Sequence, residues 1–137
     1  MGRILAVDDE LDMLFLIKMI IEGYSNHQVT TTNTPIEVAE LLSKEQFDLI
    51  ITDLKMPGMD GMELLELAKK YDNEVLIIMV TAFGSIESAE EAVRKGAFDY
   101  ISKPFRKEQL LLAIDKAMRW PEMALQNKEL KKRLEGE

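Results

Sequence analysis

The stretch "FDLIITDLKMPGMDG", residues 47–61, joins an apolar run directly to Asp53 and then to a break that contains one proline and two glycines. A short apolar run of this kind is typical of a strand that is buried on both faces, as in parallel sheets. Because an ionised carboxylate is costly next to buried apolar groups, Asp53 either closes the turn that follows or performs chemistry. The residues that follow the other apolar runs decide between these two interpretations.

Apolar runs alternate with segments of helical periodicity along the rest of the chain. The predicted strands are residues 3–7, 27–32, 47–53, 74–82 and 98–102, and the predicted helices are about residues 9–22, 34–44, 61–70, 85–96 and a last helix from about residue 107. This alternation predicts a doubly wound α/β fold with a five-stranded parallel sheet. The second strand, "HQVTTT", is the most polar and is expected at a sheet edge.

The first predicted helix has a mixed pattern. Its expected buried face contains Leu11, Leu14, Phe15, Lys18, Met19 and Glu22. Gly23 is expected to close this helix, since glycine is a common C-terminal signal.

Composition excludes several classes of function. The chain has 137 residues, which is a single-domain length, and 47% of them are hydrophobic. The net charge of −8 argues against direct binding to nucleic acid or to anionic membranes. There is no cysteine and only one histidine, so thiolate metal sites, disulfides and two-histidine metal sites are excluded. Without an apolar run that could span a bilayer or a signal-peptide pattern, the protein is expected in the cytoplasm.

Polar residues lie at the carboxyl ends of four of the predicted strands. Asp8 and Asp9 lie at the end of the first strand, Asp53 ends the third, Thr81 ends the fourth, and Lys103 follows the fifth. In open parallel sheets, ligands bind beyond the carboxyl ends of the strands. If the first and third strands are neighbours, three carboxylates meet and repel one another unless a divalent cation binds them. Mg²⁺ suits such a set, since it takes oxygen ligands and retains several waters. The predicted metal ligands are the carboxylates of Asp8, Asp9 and Asp53 and the backbone carbonyl of Lys55.

This set of residues favours phosphoryl transfer, which depends mainly on positioning and charge neutralisation. Lys103 can bind phosphate oxygens through its charge and Thr81 through its hydroxyl group. The backbone N–H groups of Leu54 and Ala82 can bind further oxygens. Asp53 is then a carboxylate nucleophile that forms an aspartyl-phosphate.

Four motifs, "VDDE", "DLKMPGMDG", "VTAFGS" and "DYISKPF", resemble the receiver domain of two-component response regulators in their order and spacing. The resemblance covers residues 3 to about 118 and implies a flavodoxin-like fold with strand order 2-1-3-4-5. The implied roles are phospho-acceptor for Asp53, magnesium ligands for Asp8 and Asp9, switch hydroxyl for Thr81, phosphate partner for Lys103 and aromatic switch for Tyr100. A sensor histidine kinase would donate the phosphoryl group. The protein would then be a switch with self-phosphorylation and slow self-dephosphorylation, read out through its fourth helix, fifth strand and fifth helix.

Simpler interpretations exist for each residue alone. Asp53 could close a turn, Lys103 could be a solvated loop lysine, and Tyr100 could only pack at a strand end. An aspartate-nucleophile phosphatase usually carries a second aspartate two residues after the nucleophile, where this chain has Lys55. A flavin-binding domain would need a loop rich in serine, threonine or glycine after the first strand, where "DDELD" stands instead.

Residues 1–119 are interpreted as the receiver domain and residues 120–137 as a charged helical linker. The apolar stripe of the linker is short and imperfect, so a solvated linker and a dimer-forming one both stay open. We expect a homodimer through the fifth helix and this linker. The segment from Thr81 to Phe105, with the linker, is similar to receivers of the nitrogen-regulation subfamily. That similarity implies an ATPase domain that activates sigma-54 promoters and a DNA-binding domain beyond this chain. The alternative is a stand-alone receiver that acts by protein–protein contact.

Overall fold

A computed structural model describes residues 2–82 and 84–120. Its sheet has five parallel strands. The strands are β1 (Arg3–Val7), β2 (Gln28–Thr32), β3 (Leu49–Thr52), β4 (Leu76–Thr81) and β5 (Asp99–Ser102). Their order in the sheet is β2-β1-β3-β4-β5, and every pair of neighbours is parallel. The predicted fold class and strand order are therefore confirmed, and β2 lies at an edge as its polar sequence predicts.

A helix follows each strand. The helices are α1 (Leu11–Tyr24), α2 (Val38–Lys44), α3 (Gly61–Tyr71), α4 (Ile86–Arg94) and α5, which occupies residues 107–120. The predicted second helix is divided, since a 3-10 turn at Pro35–Glu37 precedes α2. Ser85 is the N-cap of α4, as predicted. The residues after 120, where the dimer-forming linker is expected, lie outside the described part of the chain.

The two faces of the sheet carry separate apolar clusters. Ile4 and Ala6 of β1 pack with α1 and α5, whereas Leu5 and Val7 pack with α2, α3 and α4. Successive side chains of a strand point to opposite faces, so each central strand supplies both clusters. This two-sided burial explains why β3 and β4 read as unbroken apolar runs.

The predicted buried face of α1 is confirmed at Leu14 and wrong at its other residues, of which Lys18 and Glu22 are exposed. Its buried residues are Leu14, Ile17, Ile20 and Ile21. Leu11, Phe15 and Met19 are instead 65%, 71% and 55% exposed. Both sets follow helical spacing, so periodicity alone could not choose the face that packs on the sheet.

The predicted end of α1 is also wrong by a short distance. The helix continues through Gly23 to Tyr24, and the hydroxyl of Ser25 donates a 2.6 Å hydrogen bond to the carbonyl of Ile21. A side-chain hydroxyl therefore satisfies one of the last carbonyls of α1, which does not need a left-handed glycine at its end.

Backbone hydrogen bonds continue the parallel ladder one residue beyond three of the strands. The N–H of Asp8 donates to Thr32 at 3.3 Å, that of Asp53 to Val7 at 3.1 Å, and that of Lys103 to Thr81 at 2.9 Å. These bonds hold the three residues at the carboxyl edge of the sheet. Within residues 2–82 and 84–120, no helix is both long and apolar enough to cross a bilayer.

Candidate functional site

Asp8 and Asp53 lie side by side at the carboxyl edge of the sheet. Val7 is paired with Thr52 in the β1–β3 register, so the next residue of each chain segment is an aspartate. Both are buried, with 2% of Asp8 and 3% of Asp53 exposed. Two neighbouring carboxylates that are both removed from water require a cation close by.

Lys103 supplies that cation from the end of β5. Its Nζ atom lies 2.8 Å from Oδ2 of Asp8 and 3.0 Å from Oδ2 of Asp53. The lysine side chain is only 8% exposed, so these are buried ion pairs rather than surface contacts. Buried, charge-assisted hydrogen bonds of this kind are stronger than bonds between neutral groups.

The charge balance at the site remains negative. Burial raises the pKa of Asp8, although the hydrogen bonds from Lys103 and from the backbone of Glu10 oppose the rise. Burial lowers the pKa of Lys103, but its hydrogen bonds to Asp8 and Asp53 outweigh burial and raise that pKa overall. The single ammonium group therefore does not fully stabilise the ionised form of Asp8.

Two further acids extend the cluster to the surface. Oxygen atoms of Asp8, Asp9, Glu10 and Asp53 all lie within 4.8 Å of one another, and Asp9 and Glu10 are exposed. Hard carboxylate oxygens at this spacing, with one side open to water, fit the coordination that Mg²⁺ prefers. The residues present therefore fit the predicted cation.

Glu10 is a member of this cluster that the sequence analysis did not select. Its Oε1 atom lies 3.9 Å from Nζ of Lys103, and its N–H donates a 2.9 Å hydrogen bond to Oδ1 of Asp8. The motif "VDDE" contained the signal, because Glu10 follows the two aspartates directly. Glu10 lies two residues further from the strand end than Asp8, which is why the strand pattern did not indicate it.

The loop after β3 holds the Asp53 carboxylate on its other side. The N–H of Lys55 donates to Oδ1 of Asp53 at 3.3 Å, and the lysine side chain is exposed. Leu54 is buried, and its carbonyl accepts a 2.7 Å hydrogen bond from Gly61 at the start of α3. The Lys55 carbonyl as a metal ligand and the Leu54 N–H as a phosphate donor stay predictions.

Thr81 and Tyr100 lie on the same face of neighbouring strands. Thr81 is fully buried at the end of β4, and Ala82 after it is exposed. In the β4–β5 register Tyr100 is paired with Met79, two residues before Thr81, and its ring is half-buried. The Tyr100 hydroxyl lies 3.3 Å from the hydroxyl of Ser88 in α4, a contact that the sequence analysis missed.

Comparison with known proteins identifies relatives of the whole described domain. Residues 4–115 match the family model of the response regulator receiver domain. The chain is 38% identical over 119 residues to transcriptional regulatory protein GlrR of Escherichia coli K12, covering 85% of this chain and 26% of that protein. It is 33% identical over 130 residues to nitrogen assimilation regulatory protein NtrX of Azorhizobium caulinodans, covering 93% of this chain and 28% of that protein. The chain thus spans about a quarter of the length of these two relatives.

A solved structure is similar over its full length. The crystal structure of a CheY-like response regulator receiver domain protein from Methanospirillum hungatei has a TM-score of 0.84 and 35% sequence identity, covering 90% of this chain and 98% of that one.

Replacing Asp8 by asparagine should change how stability depends on pH. Folded Asp8 holds its proton more tightly than an unfolded aspartate of pKa 3.8, so the wild type loses stability relative to Asp8→Asn as the pH rises through and above that value. Urea unfolding without divalent cations should give a stability difference in favour of the variant that grows between about pH 4 and pH 7. A difference that is constant or shrinks over this range would contradict a raised pKa for Asp8.

Alanine at Gly61 should damage both the fold and the site. A Cβ atom there would lie 2.5 Å from the carbonyl oxygen of Asp53 and 2.9 Å from Cα of Leu54. We expect Gly61→Ala to cost about 1–3 kcal/mol in the free energy of unfolding, as overpacking does. Gly23→Ala is the matched control in α1, since nothing lies within 4 Å of its Cβ position, and it should stabilise by up to about 1 kcal/mol. Equal effects of the two changes in chemical denaturation would refute this account of Gly61.

Proposed function

The chain belongs to the response regulator receiver domain family, and on that premise we propose that it accepts a phosphoryl group on Asp53 from a sensor histidine kinase in the presence of Mg²⁺. The observation that carries the proposal is the pairing of Lys103 with the buried carboxylates of Asp8 and Asp53, beside the exposed acids Asp9 and Glu10. Phosphoryl transfer needs this combination of an in-place nucleophile and charge neutralisation. The reaction is stoichiometric, and the protein acts as a switch with slow loss of its phosphate.

Asp53 is the nucleophile in this proposal. One of its carboxylate oxygens attacks the phosphorus of a phosphohistidine, the phosphorus–nitrogen bond breaks, and the imidazole leaves and takes a proton. Asp8, Asp9, Asp53 and the backbone carbonyl of Lys55 would hold Mg²⁺, which would supply positive charge to the phosphoryl oxygens. The N–H of Lys55 bonds to Oδ1 of Asp53 and limits rotation of the carboxylate.

Lys103 has different hydrogen-bond partners before and after phosphoryl transfer. Its ammonium group pairs with Asp8 and Asp53, and after transfer one phosphoryl oxygen replaces a carboxylate as its acceptor. The hydroxyl of Thr81 and the N–H groups of Leu54 and Ala82 bind the other phosphoryl oxygens. Movement of Thr81 toward the phosphate then opens space on its face of the sheet, which Tyr100 fills. The surface of α4, β5 and α5 changes as a result.

The kinase docks on α1 in this proposal. Leu11, Phe15 and Met19 are spaced four residues apart, exposed, and begin directly after the acidic cluster. A shallow groove continues from Met19 to Phe105, just beyond Lys103, and is lined by Leu16, Met19, Ile20, Tyr24, Phe105 and Lys107. An apolar helix face beside a phospho-acceptor fits a helix of the kinase that carries the phosphohistidine.

Output and assembly form the last part of the proposal. Relatives more than three times as long include a transcriptional regulator and a nitrogen assimilation regulator. We infer that this receiver controls a sigma-54-dependent ATPase domain and a DNA-binding domain, in the cytoplasm. Homodimerisation occurs through α5 and residues 120–137.

Intact mass spectrometry tests Asp53 as the acceptor. With acetyl phosphate and Mg²⁺, the wild type should gain the mass of one phosphoryl group, and Asp53→Ala should gain none. Asp115→Ala, at an exposed aspartate of α5, is the control and should react like the wild type. Chelation of Mg²⁺ should abolish the gain. Continued release of inorganic phosphate by the wild type, without accumulation of the modified form, would instead indicate a phosphatase.

Phosphotransfer from a kinase tests the docking surface separately. Phe15→Ala should slow transfer from a phosphorylated histidine kinase about tenfold or more, since aromatic anchors dominate interfaces. It should leave the reaction with acetyl phosphate unchanged, because that donor needs no docking. Tyr71→Ala removes another exposed aromatic ring, at the end of α3, and should have no effect on either reaction. If Phe15→Ala transfers at the wild-type rate, the kinase docks elsewhere.

A further inference from the structure

The hydroxyl group of Tyr100 is held at the first turn of α4. Its oxygen lies 3.3 Å from Oγ of Ser88, across the loop that joins β4 to α4. Tyr100 lies on the sheet face of Thr81, so this contact links that face to the fourth helix. The link is between side chains twelve residues apart in the chain.

Gly84 fixes the position of the tyrosine ring. A Cβ atom at residue 84 would lie 2.6 Å from the hydroxyl oxygen and 3.0 Å from Cε1 of Tyr100. The ring edge therefore rests directly on the loop backbone, and any residue larger than glycine would force it away. A movement of this loop therefore changes its contact with the Tyr100 ring.

The hydroxyl of Ser88 contacts Ser85 as well as Tyr100. The Oγ atom accepts a 2.9 Å hydrogen bond from the N–H of Ser85, lies 3.1 Å from the carbonyl of Ser85, and lies 3.0 Å from the Ser85 hydroxyl. The Tyr100 hydroxyl is a further partner at 3.3 Å, and either of these two hydroxyls can be the donor. Ser88 therefore connects the N-cap of α4 to the ring of Tyr100.

Helix α4 is attached to the rest of the domain by few contacts. Ala92 is its one buried residue, while Ile86 and Val93 are 80% and 58% exposed. Beyond its C-terminal end, Lys95 lies 3.3 Å from Glu66 of α3 in an exposed ion pair. Exposed ion pairs contribute little, so the C-terminal end is weakly attached. At the N-terminal end, the bond between Ser88 and Tyr100 connects α4 to the sheet.

We propose that Ser88 is a positioning residue that holds Tyr100 and the start of α4 in the arrangement in which Lys103 bridges Asp8 and Asp53. The inference rests on the proposed function and adds a residue to its switch. A phosphoryl group on Asp53 draws Lys103 and Thr81 toward itself, and the Ser88–Tyr100 bond has to break for α4 to follow. Loss of the bond therefore favours the phosphoryl-bound arrangement. The bond stabilises one arrangement of α4 and the phosphoryl group stabilises the other, so both act on the same conformational equilibrium.

Binding of beryllofluoride, a phosphoryl analogue, to the 137-residue chain at saturating Mg²⁺ tests the inference by calorimetry. Tyr100→Phe and Ser88→Ala should each tighten binding about two- to fivefold, the range expected for one hydrogen bond that is partly exposed to solvent. The double variant should bind no more tightly than either single variant, because both changes remove the same bond. Ser85→Ala is the matched control: it removes the Ser85 hydroxyl, which accepts from the N–H of Ser88 and lies 3.0 Å from its Oγ, but it retains both hydroxyls of the Ser88–Tyr100 pair, and it should bind like the wild type.

Each other outcome counts against the inference in a recognisable way. Unchanged or weaker binding by Tyr100→Phe overturns it, and so does a double variant whose effect is the product of the two single effects. Tightening by Ser85→Ala equal to that of Ser88→Ala would assign the effect to helix capping instead. If the wild type itself fails to bind beryllofluoride while Asp53 is intact, the proposed function fails together with this inference.

Discussion

The carboxyl edge of the sheet depends on one ammonium group that lies between two buried carboxylates. Lys103 is 2.8 Å from Asp8 and 3.0 Å from Asp53, and all three side chains are less than a tenth exposed. Removing either carboxylate from water is costly, and two together repel each other. The ammonium group offsets part of this cost, and the raised pKa of Asp8 indicates that part of it remains. The folded protein therefore maintains a site that gains stability from any additional positive charge.

The backbone imposes this arrangement. Parallel pairing continues one residue past β1, β3 and β5, so Asp8, Asp53 and Lys103 are held by hydrogen bonds to Thr32, Val7 and Thr81. These bonds fix the backbone of the three residues, so their side chains start from neighbouring positions at the edge of the sheet. Gly61 adds a second restraint, because its N–H binds the carbonyl of Leu54 and its missing Cβ lets α3 approach the Asp53 backbone. The like charges of Asp8 and Asp53 are thus placed next to each other by the backbone around them.

The sequence predicts those features that depend on the position of a residue relative to a single strand. Asp8 and Asp53 each follow an apolar run, and Lys103 follows the last predicted strand directly, so the strand pattern also located the charged groups. The buried face of α1 could not be predicted, because Leu11, Phe15 and Met19 follow helical spacing as well as Leu14, Ile17 and Ile21 do. The contact between Ser88 and Tyr100 could not be predicted either, since it depends on how a loop folds back over a strand. Tertiary packing determines both the buried face of α1 and the Ser88–Tyr100 contact, and the local sequence does not indicate how these elements pack.

The division of the domain into two apolar clusters separates the surfaces that the proposal requires. α1 packs with one face of the sheet and α4 with the other, yet both helices begin at the carboxyl edge, next to Glu10 and after Thr81 respectively. In the proposed complex, a kinase helix on the exposed residues of α1 would lie on the face of the sheet opposite to α4. Movement of α4 would act on the second cluster, whereas α1 packs in the first. Helix α5 packs in the same cluster as α1, so it is the part of the proposed readout surface that lies on the docking side. Phosphate arrival on α1 and the response of α4 can thus use opposite faces of the sheet, and both are connected through the charged groups at its edge.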